Sequence, residues 1–213
     1  MEITWYGLSC FRITERGKIS IVTDPYDPAI GLPKRNLKAD VLTISNDAPG
    51  HNYVKAVKVG RRVIDGPGEF EIGGVFITGV RRVSNKEKKN GAVQKTLFVF
   101  NFDGLTIAHL GNMEIVPTQA QIEELGTVNI ALVPVGGGGA LNPSMAAEVI
   151  SLIEPSIVIP MHFQFEENGP ELSTVAGFLK EMGISDHDPL PSLNITKSSL
   201  TEETQVVVLT PPS

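Results

Sequence analysis

The chain of 213 residues contains one cysteine, Cys10. An internal disulfide and a cysteine-rich zinc cage each need at least two thiols, so both are excluded, and Cys10 reads as a small buried hydrophobe. No apolar run approaches the roughly 20 residues that a membrane-spanning helix needs. The opening Met1-Glu2-Ile3-Thr4-Trp5 begins a strand pattern rather than a basic leader, which gives the expectation of a soluble, cytoplasmic protein with no membrane partner. Positive charge is sparse: 18 Lys and Arg stand against 24 Asp and Glu, a formal charge of −6. No Lys/Arg cluster exceeds Lys86-Glu87-Lys88-Lys89, which reads as a solvated loop, so an electrostatic nucleic-acid surface is excluded. Histidine is also scarce, with four in all.

A chain of this length with 41% hydrophobic residues fits one domain, 1–213, around one core. Short strand-like runs dominate its first half. Ile3–Gly7, Cys10–Thr14 and Ile19–Thr23 come first, with Gly17 in a hairpin turn, and after a Pro/Gly-rich loop at 26–38 comes the buried run Asp40–Ile44. Val54, Val57 and Lys58 fall at helical spacing and predict a short helix over 51–59. Arg62–Ile64, Phe70–Ile72 and Val75–Val80 read as strands, the last two joined by Gly73-Gly74. The second half repeats the first: Thr96–Phe102 turns at Asp103-Gly104 and returns as Leu105–Asn112. Asn112 follows Asp24 by 88 positions and Asn129 follows Asp40 by 89, which predicts a duplicated β-rich unit. Helices are expected at 117–125, begun by Pro117 and stopped by Gly126, at 143–153 behind the cap Asn142, and at 171–182. Ser156–His162 and Gln205–Leu209 complete the strands. Two such units burying their apolar faces together give two sheets face to face with helices outside.

The run Val41–Ile44 ends in Ser45-Asn46-Asp47-Ala48-Pro49-Gly50-His51, which delivers polar groups to one strand end, where layered α/β proteins place their chemistry. The stretch resembles the H-x-H-x-D-H signature of the metallo-β-lactamase superfamily. Trp5-Tyr6-Gly7-Leu8-Ser9-Cys10-Phe11 is similar to the G-H-S-C-F opening of the branch that includes ascorbate-6-phosphate lactonase and many metal-dependent hydrolases. Asp24-Pro25, His109-Leu110-Gly111-Asn112 (similar to H-A-G-D), Leu132–Gly137 and Ile159-Pro160-Met161-His162-Phe163 match the same branch in the same order. The resemblance implies an α/β fold of four layers, an αββα sandwich, with a metal groove along one edge of the sheets.

It also implies where this chain departs from its relatives. Asn46, Ala48 and Gly50 stand at the signature's His, His and Asp; Asn112 stands at the bridging carboxylate; and no His follows Val80 before Gly91, where the family has its third. Leu8 replaces a flanking His. His51 and His162 remain. Two neutral imidazoles with a neutral amide offer a divalent cation no anionic donor, so the expectation is no cofactor, or one weakly bound Zn or Mn on His51 and His162 with Asp47 or Asp24 swung in. Three readings follow: a fold retained without its metal centre; a hydrolase of an ester, lactone or phosphoester with one weak metal; and a metal-free acid/base enzyme with His51 or His162 as base and Asp47 as orienter. Asp24, Asn46, His109, Asn112, Gly137 and Gly138 are expected to line the groove. Gly136–Gly139, ahead of a helix, suits a small anionic ligand or, more simply, a loop of close approach. His187 reads as surface loop, and a homo-oligomer is compatible with the sequence.

Overall fold

The computed structural model describes residues 1–82 and 95–212. The basic run Lys86-Glu87-Lys88-Lys89, expected in a solvated loop, lies outside them. Six strands form the first sheet: β1 (Glu2–Gly7), β2 (Cys10–Thr14), β3 (Ile21–Thr23), β4 (Leu37–Thr43), β5 (Val57–Ile64) and, from the far end of the chain, β12 (Leu193–Asn194), in the order β12-β1-β2-β3-β4-β5. The second holds β6 (Gly68–Ile72), β7 (Val75–Arg82), β8 (Lys95–Phe102), β9 (Leu105–His109), β10 (Ile130–Pro134), β11 (Ile157–Met161) and β13 (Gln205–Val206), in the order β13-β11-β10-β9-β8-β7-β6.

Strand alternation explains the packing. Ile3, Trp5, Phe11, Ile13, Ile21 and Val41 point from the first sheet into the same apolar cluster as Ile77, Phe98, Phe100, Ile107 and Ile130 of the second. The alternate residues of the first sheet, Cys10, Val22, Ala39 and Leu42, point the other way and pack with Leu8, Tyr26, Leu32 and Ala56. Each fully buried aliphatic or aromatic side chain is worth about 1.5–3 kcal/mol of transfer free energy, which favours this one register.

The duplication is visible in the pairing. β2 to β3 is antiparallel and β3 to β4 and β4 to β5 are parallel; β8 to β9 is antiparallel and β9 to β10 and β10 to β11 are parallel. The α-helices of the described residues all belong to the second half: α1 (Gln119–Leu125), α2 (Pro143–Ile153) and α3 (Val175–Glu181). The outer face of the first sheet is covered instead by loop, with single 3-10 turns at Pro28–Ile30 and Val54–Ala56. The fourth layer is therefore thin on that side.

The clearest differences from the sequence expectations lie at four elements. The helix over 51–59 is absent: one 3-10 turn is followed by β5, because Val57 and Val59 lose little as β-branched residues in a strand and gain a parallel partner in β4. Pro117 lies outside α1, whose N-cap is Thr118 in a capping box with Gln121. α3 begins only at Val175, after Thr174. The last strand ends at Val206, with an isolated bridge from Leu209 to Leu190.

Candidate functional site

At the strand ends that form the site, three non-glycine residues have left-handed backbone: Leu8 after β1 (φ 46°), Asp24 after β3 (φ 38°) and His162 after β11 (φ 53°). Each such residue costs about 1–2 kcal/mol, so the surroundings must hold it. They do so by hydrogen bonds: Asp24 N donates to Thr43 O at 2.9 Å, and His162 N donates to Leu8 O at 3.0 Å. Trp5 Nε1 donates to the same carbonyl at 2.8 Å.

Asp24 is wholly buried. One carboxylate oxygen accepts from Ser45 N at 2.7 Å; the other accepts from Ser45 Oγ and, at 2.8 Å, from His51 Nδ1. A carboxylate cannot donate, so Nδ1 of His51 carries the proton and Nε2 is the atom left for other work. Burial pushes the Asp24 carboxyl up, but the His51 bond, the nearby imidazoles and Ser45 outweigh it, and Asp24 is held below the usual carboxylate range. It is an ionised, fully engaged group.

The His162 ring stacks on that of His51, with centroids 5.7 Å apart and planes at 22°. Burial, aided by neighbouring His51 and against the pull of Asp24, lowers His162 to about 3, so it is neutral near pH 7. Its Nδ1 finds no hydrogen-bond partner among the described residues. His109 is buried against Phe11, and its Nε2 donates to Ser9 O at 2.9 Å; burial lowers its pKa as well.

The remaining sequence candidates have structural duties. Asn46 is buried and closes a turn, its side-chain oxygen accepting from Ala48 N at 2.8 Å and its amide donating to Ser45 Oγ at 3.4 Å. Asp47 is exposed, and the carboxylate bonded to His51 is Asp24, so the orienting role considered for Asp47 falls to Asp24. Asn112 is half-buried beside Gly111, where a β-carbon would lie 2.6 Å from Ser45 Oγ. In the glycine loop, Gly136 N donates to His162 O at 3.0 Å, Gly137 N donates to Leu141 O at 3.0 Å, and Gly138 faces Leu172 so closely that a β-carbon would lie 2.3 Å from its Cδ2. That is a loop of close approach. His187 is exposed and borders a cavity of about 400 Å³ with Trp5, Arg35, Phe163 and Phe165.

Ser45 and Ser9 were not legible as site residues. Both are small polar groups buried at strand ends, and nothing in their spacing separates them from ordinary turn serines.

Residues 2–162 match the profile of a family described as the beta-lactamase superfamily domain. The chain belongs to the metallo-β-lactamase superfamily. Among its superfamily relatives, a metal-dependent hydrolase of Thermococcus onnurineus is 27% identical over 192 residues, covering 76% of this chain and 84% of its own. A crystal structure from Thermotoga maritima, described as a candidate Zn-dependent hydrolase of the metallo-β-lactamase superfamily, is 36% identical with a TM-score of 0.78 and covers 98% of this chain and 97% of its own. A metallo hydrolase of Ignicoccus hospitalis shares the fold at 19% identity, with a TM-score of 0.70 over 100% and 96% of the two chains.

A superfamily metal centre needs several His and carboxylate ligands to converge. Among the described residues, no group of three or more His, Cys, Asp or Glu side chains could hold an ion. Asp24 is spent on Ser45 and His51, in the position of a carboxylate that orients a ligand histidine rather than of the ligand itself. The donors left, His51 Nε2 and the His162 ring, are two in number and include no anion, fewer than the three protein ligands of a catalytic zinc site.

Proposed function

We propose that this chain keeps the metal-dependent hydrolase fold with its metal centre dismantled, and acts as a non-catalytic or metal-free protein. The observation that carries this reading is the engagement of Asp24, the one buried carboxylate among the described residues, by Ser45 and His51. Freeing it for a cation would cost charge-assisted hydrogen bonds of about 1.5–3 kcal/mol each. Asn46, Ala48, Gly50 and Asn112 stand where the superfamily signatures that the sequence resembles have their donors. The test is elemental analysis of protein purified without chelator and again after incubation with zinc or manganese. Far less than one ion per chain is expected both times; a near-stoichiometric ion would sink the reading. Asn46→His with Asn112→Asp should raise uptake over the wild type.

The Asp24–His51 pair favours one second reading. A carboxylate that fixes the imidazole tautomer and leaves Nε2 free is the arrangement of a general base. A hydrolase panel of esters, lactones and phosphoesters, run in chelator, tests it. Activity abolished by His51→Ala would support a metal-free acid/base enzyme, and activity indifferent to that change would remove the base role.

A further inference from the structure

Gly50 stands at the place of the signature's aspartate, and any side chain there would begin against Leu8. A β-carbon on Gly50 would lie 3.3 Å from Leu8 Cδ1, inside the ordinary carbon contact of about 3.5–4.0 Å. Gly50 is not among the glycines with left-handed φ, so its backbone makes no demand for glycine. The neighbour makes it. Leu8 has little freedom to give way: its φ is 46°, its carbonyl holds Trp5 Nε1 and His162 N, and its side chain is 2% exposed within a cluster that includes Cys10, Val22, Leu42 and Ile44.

We infer that Leu8 and Gly50 form a matched apolar plug. The leucine methyl fills the volume that a carboxylate at position 50 would need, next to His51, and closes that end of the groove with hydrocarbon. The inference rests on the reading that the metal centre is dismantled, and it adds that part of the cation's former surroundings is now packed protein. Its consequence is that the ligand at position 50 cannot be restored alone: an aspartate there competes with Leu8 before it can reach an ion.

A double-mutant cycle in chelator tests the plug without any metal. Gly50→Ala should be better tolerated, by about a degree or more in Tm, in a Leu8→Ala background than in the wild type, whereas Gly66→Ala, with nothing within 4 Å of its β-carbon, should behave alike in both. Should Leu8→Ala fail to fold, Leu8→Gly, which suits the left-handed backbone, repeats the cycle. Additive Tm changes would overturn the inference. The second arm measures zinc uptake by competition with a fluorescent chelator. Gly50→Asp with Asn112→Asp should bind at least tenfold more tightly when Leu8→Ala is also present, and equal binding would overturn the plug. Stoichiometric zinc in the wild-type chain would overturn the dismantled centre, while the metal-free cycle still decides whether residues 8 and 50 compete for one volume.

Discussion

At the residue scale, Asp24 is the pivot of the site, and the sequence marks it as a groove-lining residue and an alternative metal donor, not as the partner of His51. Its importance comes from three strand ends that the fold brings together, a relation no local spacing encodes. His51 and His162, by contrast, are expected from the family pattern to share one groove, and the structure stacks their rings. Asp24→Asn keeps the shape but removes the charge and turns one of the two acceptor oxygens that serve Ser45 and His51 Nδ1 into an NH2 donor, so it should cost about 2–4 kcal/mol in urea unfolding near pH 7. An unchanged midpoint would show that the carboxylate is not engaged as described. The buried imidazoles set a pH dependence. An unfolded histidine titrates near its ordinary 6.5, whereas folded His162 is held at about 3. Between those values the unfolded chain binds the extra proton, so stability is full above about pH 6.5 and falls as pH drops toward 3. His109, lowered by burial, acts in the same sense, and Asp24 adds its loss only below the ordinary carboxylate range. At pH 5 the His162 share is about 2 kcal/mol. Urea midpoints near pH 7 and pH 5 should differ accordingly, and His162→Asn, which tolerates left-handed backbone, should reduce the difference. An equal difference in that variant would assign it elsewhere.

At the element scale, the signals that decided correctly were local ones. Asn142 at the N-cap and Pro143 at the first helical position set the start of α2, and Gly73-Gly74 and Asp103-Gly104, all with positive φ, turn their hairpins. Failures came where two periodicities overlap. Residues 54–58 satisfy helical spacing, yet β4 offers Val57–Ile64 a parallel partner, and pairing outweighs a weak local preference. The early start predicted for α3 counted residues 171–174, which the chain uses as loop; Ser173 N donates to Gly136 O at 2.9 Å, tying that loop to the glycine turn. Cap chemistry gives a direct comparison of helix starts. Asn142 accepts from Met145 N at 2.9 Å, while Thr174 makes no side-chain cap bond. Asn142→Ala should therefore cost about 1 kcal/mol and Thr174→Ala only a few tenths, by urea denaturation. Equal costs would contradict this assignment of caps.

At the scale of the whole molecule, two units of like topology close over one interior, and the site lies where strands from both sheets end. Asp24 and Leu8 come from the first sheet and His162 from the second, joined by the His162 N to Leu8 O bond. The single tryptophan reports on that junction: Trp5, on β1, is fully buried with its ring 4.7 Å from that of Phe163, just beyond β11, and 5.1 Å from that of Phe165. If the sheets could separate while keeping their strands, Trp5 fluorescence would change before far-ultraviolet circular dichroism. The shared cluster makes that costly, because Ile3, Phe11, Ile21, Phe98, Phe100 and Ile107 would all lose cover together, at about 1.5–3 kcal/mol each. The two probes should therefore give coincident thermal transitions, the mark of a single cooperative unit. An earlier fluorescence transition would mean that the halves are separable, and that the site between them is the first part of the fold to open.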